Sequence, residues 1–361
     1  MKLYITKIHY SNKLIAQDQI IMSLLSCLSI FYNIAVRIRN FFYDKNLIKP
    51  TKLNAYVVSI GNLTTGGTGK TPLTMEIARY FKENLNKKVV ILSHGYGGRL
   101  SVKGVNLISD GKNIFSTPDL AGDEPWLIAS NMADIPVLTS KNRINSGKYA
   151  IDKLGAEVLI LDDGFQHRKL YRDLNLLVVD LYKKFGNNRL LPAGPLREPL
   201  GEIKRADKVL IVSKKPNDRS ETQLFQELTA KFNDKYSKKT FLCRFKPGEI
   251  FNIKNNDIFD PLLRVYAFAA IAQPEFFFNY LKNKNITLAY TREYSDHHIY
   301  SEEDLLNMLN EAKKLDAQAL VTTEKDAVKL IALIGKSRAE IPIFALKLKV
   351  EADICGLLEN S

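Results

Sequence analysis

GNLTTGGTGKTPL, residues 61–73, comes straight after an aliphatic run, YVVSI, and leads into a helix-like segment. A strand, a glycine-rich turn and a helix in that order are the phosphate-loop arrangement of an open α/β sheet. Gly66, Gly67 and Gly69 let the backbone of Thr65, Thr68 and their neighbours turn its N–H groups toward one point. Lys70 then reaches the β- and γ-phosphates of a nucleotide, and the Thr71 hydroxyl is placed to ligate Mg²⁺. The helix that follows adds its N-terminal dipole. Pro72 is harmless in a first helical turn, where its missing N–H has no intrahelical partner. The strict spacing GxxxxGK[ST] asks for glycine where Thr64 stands, so the loop is a variant.

Outward from the loop, short aliphatic runs alternate with helix-like segments, the pattern of a parallel sheet covered by helices. The runs are 56–60, 88–92, 135–140, 157–163, 174–180 and 208–213. In VLILDDGFQH, residues 158–167, an aliphatic strand ends in aspartate, the Walker B partner of a phosphate loop. Asp162, first off the strand, is the better Mg²⁺ ligand; Asp163 either binds the metal or caps the loop.

A polar stretch, KKPNDRSET (214–222), divides the chain. Beyond it RFKPGEIFNI reads as a pair of ribbon strands, and further runs at 264–271, 285–290, 317–323 and 341–350 form a second, smaller α/β set. The expected organisation is an amino-terminal region at 1–50, a P-loop domain at 51–215 and a carboxy-terminal α/β domain with its ribbon linker at 216–361.

Residues 20–36 are mostly apolar and run directly into Arg37 and Arg39, while Ser23, Ser26, Ser29 and Asn33 recur at helical spacing. The stretch is at the short limit of a membrane span, about 20 residues, and lacks a signal-peptide cleavage pattern. Arginines and aromatics in RIRNFFYDK suit the headgroup boundary. An amphipathic helix lying in the cytoplasmic leaflet is the expectation. A core helix and a single span are the other readings.

Lys plus Arg outnumber Asp plus Glu by 52 to 39, a net charge of +13, which points to an anionic partner without choosing among nucleotide, nucleic acid and acidic lipid. No helix-turn-helix, RNP signature or zinc pattern accompanies the charge, so nucleic acid is not expected. Cys27, Cys243 and Cys355 are scattered and form no CxxC pair, which fits a reducing compartment and no disulfide framework.

GGTGKTP, HGYGGR, GDEP, DDGFQHR, LLPAGPLREP and DHH, in this order, resemble the tetraacyldisaccharide 4'-kinase family. The likeness runs from the apolar helix to TTEKDAVKL (322–330), nearly the whole chain. It implies ATP- and Mg²⁺-dependent transfer of the γ-phosphate to the 4'-hydroxyl of a lipid A disaccharide 1-phosphate, giving lipid IVA. It further implies two α/β/α units joined by a β-ribbon, and a monomer seated on anionic lipids at the cytoplasmic face of the inner membrane. Residue by residue, Asp123 matches the catalytic aspartate and His297 its partner. Glu124 and Gln166 fall beside the metal, Arg197 beside the transferring phosphate, and Tyr96 and Arg143 against the lipid. Two departures stand out: His94 where many members carry arginine, and AFAAIAQP, with Ala270, Ala272 and Gln273, where members often read AFAGIGNP.

Read without the resemblance, several of these residues have plainer roles. Asp123 in DEPWLIA is equally a helix N-cap, Tyr96 ordinary packing, and the two histidines surface or core residues. Ser301 and Asp304 form a capping box, which makes 296–301 a loop entering a helix. TTEKD reads as a structural turn with a helix starting near Asp326. A partitioning or switch ATPase shares the P-loop and the basic charge, but gives no reason for HGYGGR or GPLREP.

Overall fold

Along the 56–60 run the side chains alternate between two cores: Val58 and Ile60 enter one, Val57 the other. Burial on both faces is what an inner strand of a parallel sheet requires. The structure is a computed structural model and describes residues 9–10, 16–102, 104–215, 218–255, 257–271, 274–296, 298–334 and 341–359. Among these residues twelve strands join one sheet. They are β1 Tyr56–Gly61, β2 Val89–Ser93, β3 Asn106–Ser109, β4 Val137–Thr139, β5 Val158–Asp162, β6 Leu174–Asp180, β7 Lys208–Ser213, β8 Lys239–Asn252, β9 Val265–Ala269, β10 Leu288–Glu293, β11 Ala319–Thr323 and β12 Ile343–Glu351. Their order is β10-β9-β11-β12-β8-β7-β6-β1-β5-β2-β4-β3.

From β7 through β6, β1, β5 and β2 to β4 every pairing is parallel. All their carboxyl ends therefore lie along one edge, where open α/β sheets bind ligands. The short β3 closes the far side antiparallel to β4. It escaped the sequence reading because an edge strand of four residues, half of them only partly buried, carries no aliphatic run.

The ribbon differs from expectation. Residues 244–253 do not fold back on themselves: β8 is a single strand of 14 residues. Residues 239–244 pair in parallel with β7, and 244–252 pair antiparallel with β12, a hundred residues on. Pro247 lies opposite Leu348, beside a register shift, where a residue without an N–H interrupts the ladder least. β12 also pairs in parallel with β11, and β9 and β10 extend that second parallel set. A β8–β12 ribbon thus joins two parallel α/β sets, as the fold-class expectation had it. Two later segments rest on the first set. Helix Glu221–Tyr236 packs Leu228 and Phe232 with Leu177 and Ile211, and Ile354 and Leu357 join Leu176 and Leu210.

The amino-terminal helix, Ala16–Asp44, has 29 residues. Asp18, Met22, Val36 and Asn40 are buried against the body, while Ile20, Leu24, Leu28, Phe31, Ile34 and Ile38 are exposed, Phe31 by 72%. The protein-facing side mixes Met22 and Val36 with the half-buried Ser26 and Ser29, while Ser23 and most of the large apolar side chains face out. Ser29 donates to the Leu190 carbonyl at 3.0 Å, and Arg189 donates to Ser26 Oγ at 3.0 Å. A contiguous exposed apolar stripe of this size marks an interaction surface, and the helix is a candidate membrane anchor.

Candidate active site

The phosphate loop sits at the carboxyl end of β1, and the helix Lys70–Glu83 begins with Lys70 itself. Gly69 is required twice over. Its φ is 96°, and a Cβ there would fall 2.3 Å from the ring of Phe245 on β8. Gly66, with φ 102°, and Gly67 stand in open space. Thr68 and Thr71 are buried, and Thr65 donates its N–H to the Pro195 carbonyl at 2.8 Å. Thr64, the departure from the strict pattern, bridges to Leu196, so a side chain is accommodated where the loop meets LPAGPLREP.

Lys70 Nζ donates to Asn62 Oδ1 at 3.2 Å and lies 3.7 Å from Asp163. Arg197 grips the same carboxylate through Nη1, 3.0 and 2.8 Å from its two oxygens, and stands 3.4 Å from Gln166 Oε1. Gln166 in turn donates to the Asn62 carbonyl at 2.9 Å. Burial works against the charge of Asp163, but Lys70 and Arg197 outweigh it and hold the carboxyl down at about 2. Asp163, with φ 55°, leaves β5 in a left-handed turn. That turns it toward the two cations.

Asp162, one residue earlier, accepts from Thr74 Oγ1 at 3.0 Å. Burial, then the Glu124 and Asp163 carboxylates, push its carboxyl well above the usual range, with Lys70 and Thr74 pulling back only partly. Among the described residues no group of three or more His, Cys, Asp and Glu forms a ready-made cation cage. Asp162 and Asp163 at the end of β5 and the Thr71 hydroxyl in the first turn after the phosphate loop are hard oxygens in small number. Mg²⁺ binds in this way when substrate phosphates complete its shell. The suppressed charge of Asp162 is what a divalent cation would restore, so the residues fit the ion.

Asp123 is the first residue of helix Asp123–Asn131, whose N-cap is Gly122 with no side-chain cap. The capping reading of Asp123 therefore fails. Gly122 has φ 92°, and a Cβ there would meet the Tyr96 carbonyl at 2.7 Å; Gly98 is equally tight against Ala121. The HGYGGR loop and the GDEP turn are thus packed glycine to backbone, which sets Tyr96 beside Asp123. Tyr96 is 78% exposed, at the rim. TTEKD is not a separate turn: β11 ends at Thr323 and a helix starts at once at Glu324, two residues before the expected Asp326. Lys325 in its first turn pairs with Glu124 at 3.3 Å, tying the second set to the first. His297 lies outside the described residues, as do Ala272 and Gln273. His298 stacks on Tyr294 and reaches Asp304 at 3.1 Å, and the Ser301–Asp304 capping box is present.

Arg143 is placed differently from the resemblance. It is 3% exposed, its guanidinium turned inward to the Asp162 carbonyl at 3.3 Å and His94 Nδ1 at 3.3 Å. It braces the end of β5 from behind. Sequence reasoning missed Asn62, Thr74 and Lys214. Lys214, after β7, donates to the Gly67 carbonyl and pairs with buried Asp180 at 2.8 Å. Each is a common residue type whose role depends on a partner far along the chain.

The family model described as Tetraacyldisaccharide-1-P 4'-kinase matches residues 21–360. The chain belongs to that family. Curated tetraacyldisaccharide 4'-kinases share the match: that of Syntrophus aciditrophicus is 40% identical over 315 residues, covering 85% of this chain and 84% of the relative. That of Desulfatibacillum aliphaticivorans is 36% identical over 351 residues, covering 94% and 91%. Among solved structures, the "apo" form of LpxK from Aquifex aeolicus in complex with ATP superposes with a TM-score of 0.72. It is 35% identical, with 92% of this chain and 95% of that one covered. A tetraacyldisaccharide 4'-kinase accounts for HGYGGR and LPAGPLREP as parts of one site, which a switch ATPase does not. The kinase reading stands.

Proposed function

We propose that this tetraacyldisaccharide 4'-kinase transfers the γ-phosphoryl group of ATP to the 4'-hydroxyl of a tetraacyldisaccharide 1-phosphate, forming lipid IVA. The observation that supports the reading is the Lys70–Asp163–Arg197 cluster beside the phosphate loop, with Asp162 next to it and the Glu124 charge acting on Asp162. The 65–71 amides and Lys70 hold the triphosphate. Asp162 and Thr71, with Glu124 or Asp163, would hold Mg²⁺, which would supply positive charge to balance the phosphates. Arg197, prepositioned by Asp163, faces the transferring group and stabilises its charge. Asp123 accepts the 4'-hydroxyl proton as that oxygen bonds to phosphorus and the bond to the ADP oxygen breaks. His297 is the proton-sharing partner suggested by the family motif. Tyr96 meets the lipid at the rim, and Arg143 steadies the Asp162 backbone.

The exposed stripe of the Ala16–Asp44 helix and the +13 charge support seating on anionic lipid at the cytoplasmic face of the inner membrane. A monomer is part of the proposal. We further propose that the two lobes meet along the β8–β12 ribbon.

Purified full-length protein, incubated with γ-labelled ATP, Mg²⁺ and the disaccharide 1-phosphate in detergent, should move label into the lipid fraction. Label that stays in ATP and inorganic phosphate alone would sink the proposal.

A further inference from the structure

Arg197 is fixed at its head and along its backbone. Its guanidinium is held by Asp163. Its N–H donates to the Leu63 carbonyl at 2.7 Å, and its own carbonyl accepts from the Tyr32 hydroxyl at 2.8 Å. Tyr32 belongs to the amino-terminal helix, 165 residues earlier in the chain. The next residue, Glu198, is fully buried and bridges Arg39 of that same helix to Arg205. Consecutive residues of the catalytic loop are therefore tied to positions 32 and 39 of the helix, two turns apart on one face.

Elsewhere on the surface of the same helix, Leu28, Phe31 and Ile34 are exposed. Phe31 and Tyr32 are successive residues of the helix, the first exposed and the second donating into the catalytic loop. An arginine head on a long, rotatable stem inherits its place from the backbone that carries it, and Tyr32 makes one of the two side bonds that hold this backbone. Any movement of the helix in the bilayer reaches Arg197 through that bond.

We propose that Tyr32 is a positioning residue for phosphoryl transfer. By holding the Arg197 carbonyl, its hydroxyl makes correct seating of the apolar helix a condition for placing the Arg197 guanidinium. The proposal rests on the reading of Arg197 as the cation at the transferring phosphate. It gives the helix a part in turnover that is separate from anchoring.

Full-length protein in vesicles containing the disaccharide lipid and anionic phospholipid would be assayed as parent, Tyr32→Phe, Arg197→Ala and the double variant. Tyr32→Phe removes one hydroxyl and keeps the ring. It should lower kcat about three- to tenfold, the size of one hydrogen bond. KM for the lipid and vesicle co-sedimentation should stay at parental values, which a merely structural or anchoring role would not leave untouched. In the Arg197→Ala background the same change should cost less than about twofold, because residues acting through one another are not additive. Parental kcat in Tyr32→Phe, a full effect retained without Arg197, or a loss confined to lipid KM and co-sedimentation would each overturn the inference. Parental activity in Arg197→Ala would instead overturn the reading of the site.

Discussion

The carboxyl groups of Asp162 and Asp163, consecutive along the chain, are driven in opposite directions. Asp162 is raised by burial and by the Glu124 and Asp163 charges, whereas Asp163 is held down at about 2 by Lys70 and Arg197 against its own burial. The left-handed turn at Asp163 produces the split by sending one side chain under Thr74 and the other to the two cations. Titratable neighbours pushed apart in this way mark a division of labour.

Asp162→Asn should stabilise the metal-free protein while disabling it. A carboxyl whose folded pKa is raised binds its proton more tightly in the folded than in the unfolded chain, so stability falls as pH rises between the two values. The amide escapes that penalty. Thermal melts in chelator should show the variant above the parent at about pH 8, and the two converging toward about pH 4, near the unperturbed aspartate value. In the parent, the Mg²⁺ concentration for half-maximal turnover should rise as pH falls, since the ligating form must be deprotonated.

Asp123→Ala should lower kcat by about 10²–10⁴, the usual contribution of a positioned base, with nucleotide affinity little changed. Steady-state kinetics beside equilibrium titration with a non-hydrolysable ATP analogue separate the two. Because Gly122 is the helix N-cap, loss of the Asp123 side chain leaves that cap intact.

Gly122→Ala tests the packing between GDEP and HGYGGR. The methyl would be forced to within 2.7 Å of the Tyr96 carbonyl at a φ of 92°. A destabilisation of about 1–3 kcal/mol is expected from strain and displacement, with lipid KM raised more than ATP KM as the Tyr96 loop shifts. A change in ATP KM alone would contradict the placement of Tyr96 on the lipid side.

Leu28→Ser with Phe31→Ser should release the protein from vesicles. Each loses about 1–2 kcal/mol of apolar transfer, or roughly tenfold in partitioning. Neither side chain packs in the body, so urea unfolding in detergent-free buffer should be nearly unchanged. A large fall in the unfolding midpoint would instead mean that this face is covered by protein.

Much of the site could be read from local spacing. The glycines and Lys70 of the phosphate loop, the strand-to-aspartate step at 158–163 and the Ser301–Asp304 cap are patterns a few residues long, and each forms where its period or turn chemistry demands. Roles that depend on distant partners were not legible. Gln166 donates to the Asn62 carbonyl, Lys214 meets Gly67, and Arg143 turns inward to His94, all through contacts that no short window contains.

The ribbon and the amino-terminal helix show the same division more sharply. Residues 244–253 read as a pair of ribbon strands, but only long-range pairing could select β12 as partner over a local hairpin, because strand propensity names no neighbour. Residues 20–36 read as a two-faced helix, but which face meets the body depended on the tertiary fold. Buried carbonyls and charges at Leu190, Arg197 and Glu198 must be paired, and Ser29, Tyr32 and Arg39 of the helix pair them, which turned most of the large apolar side chains outward.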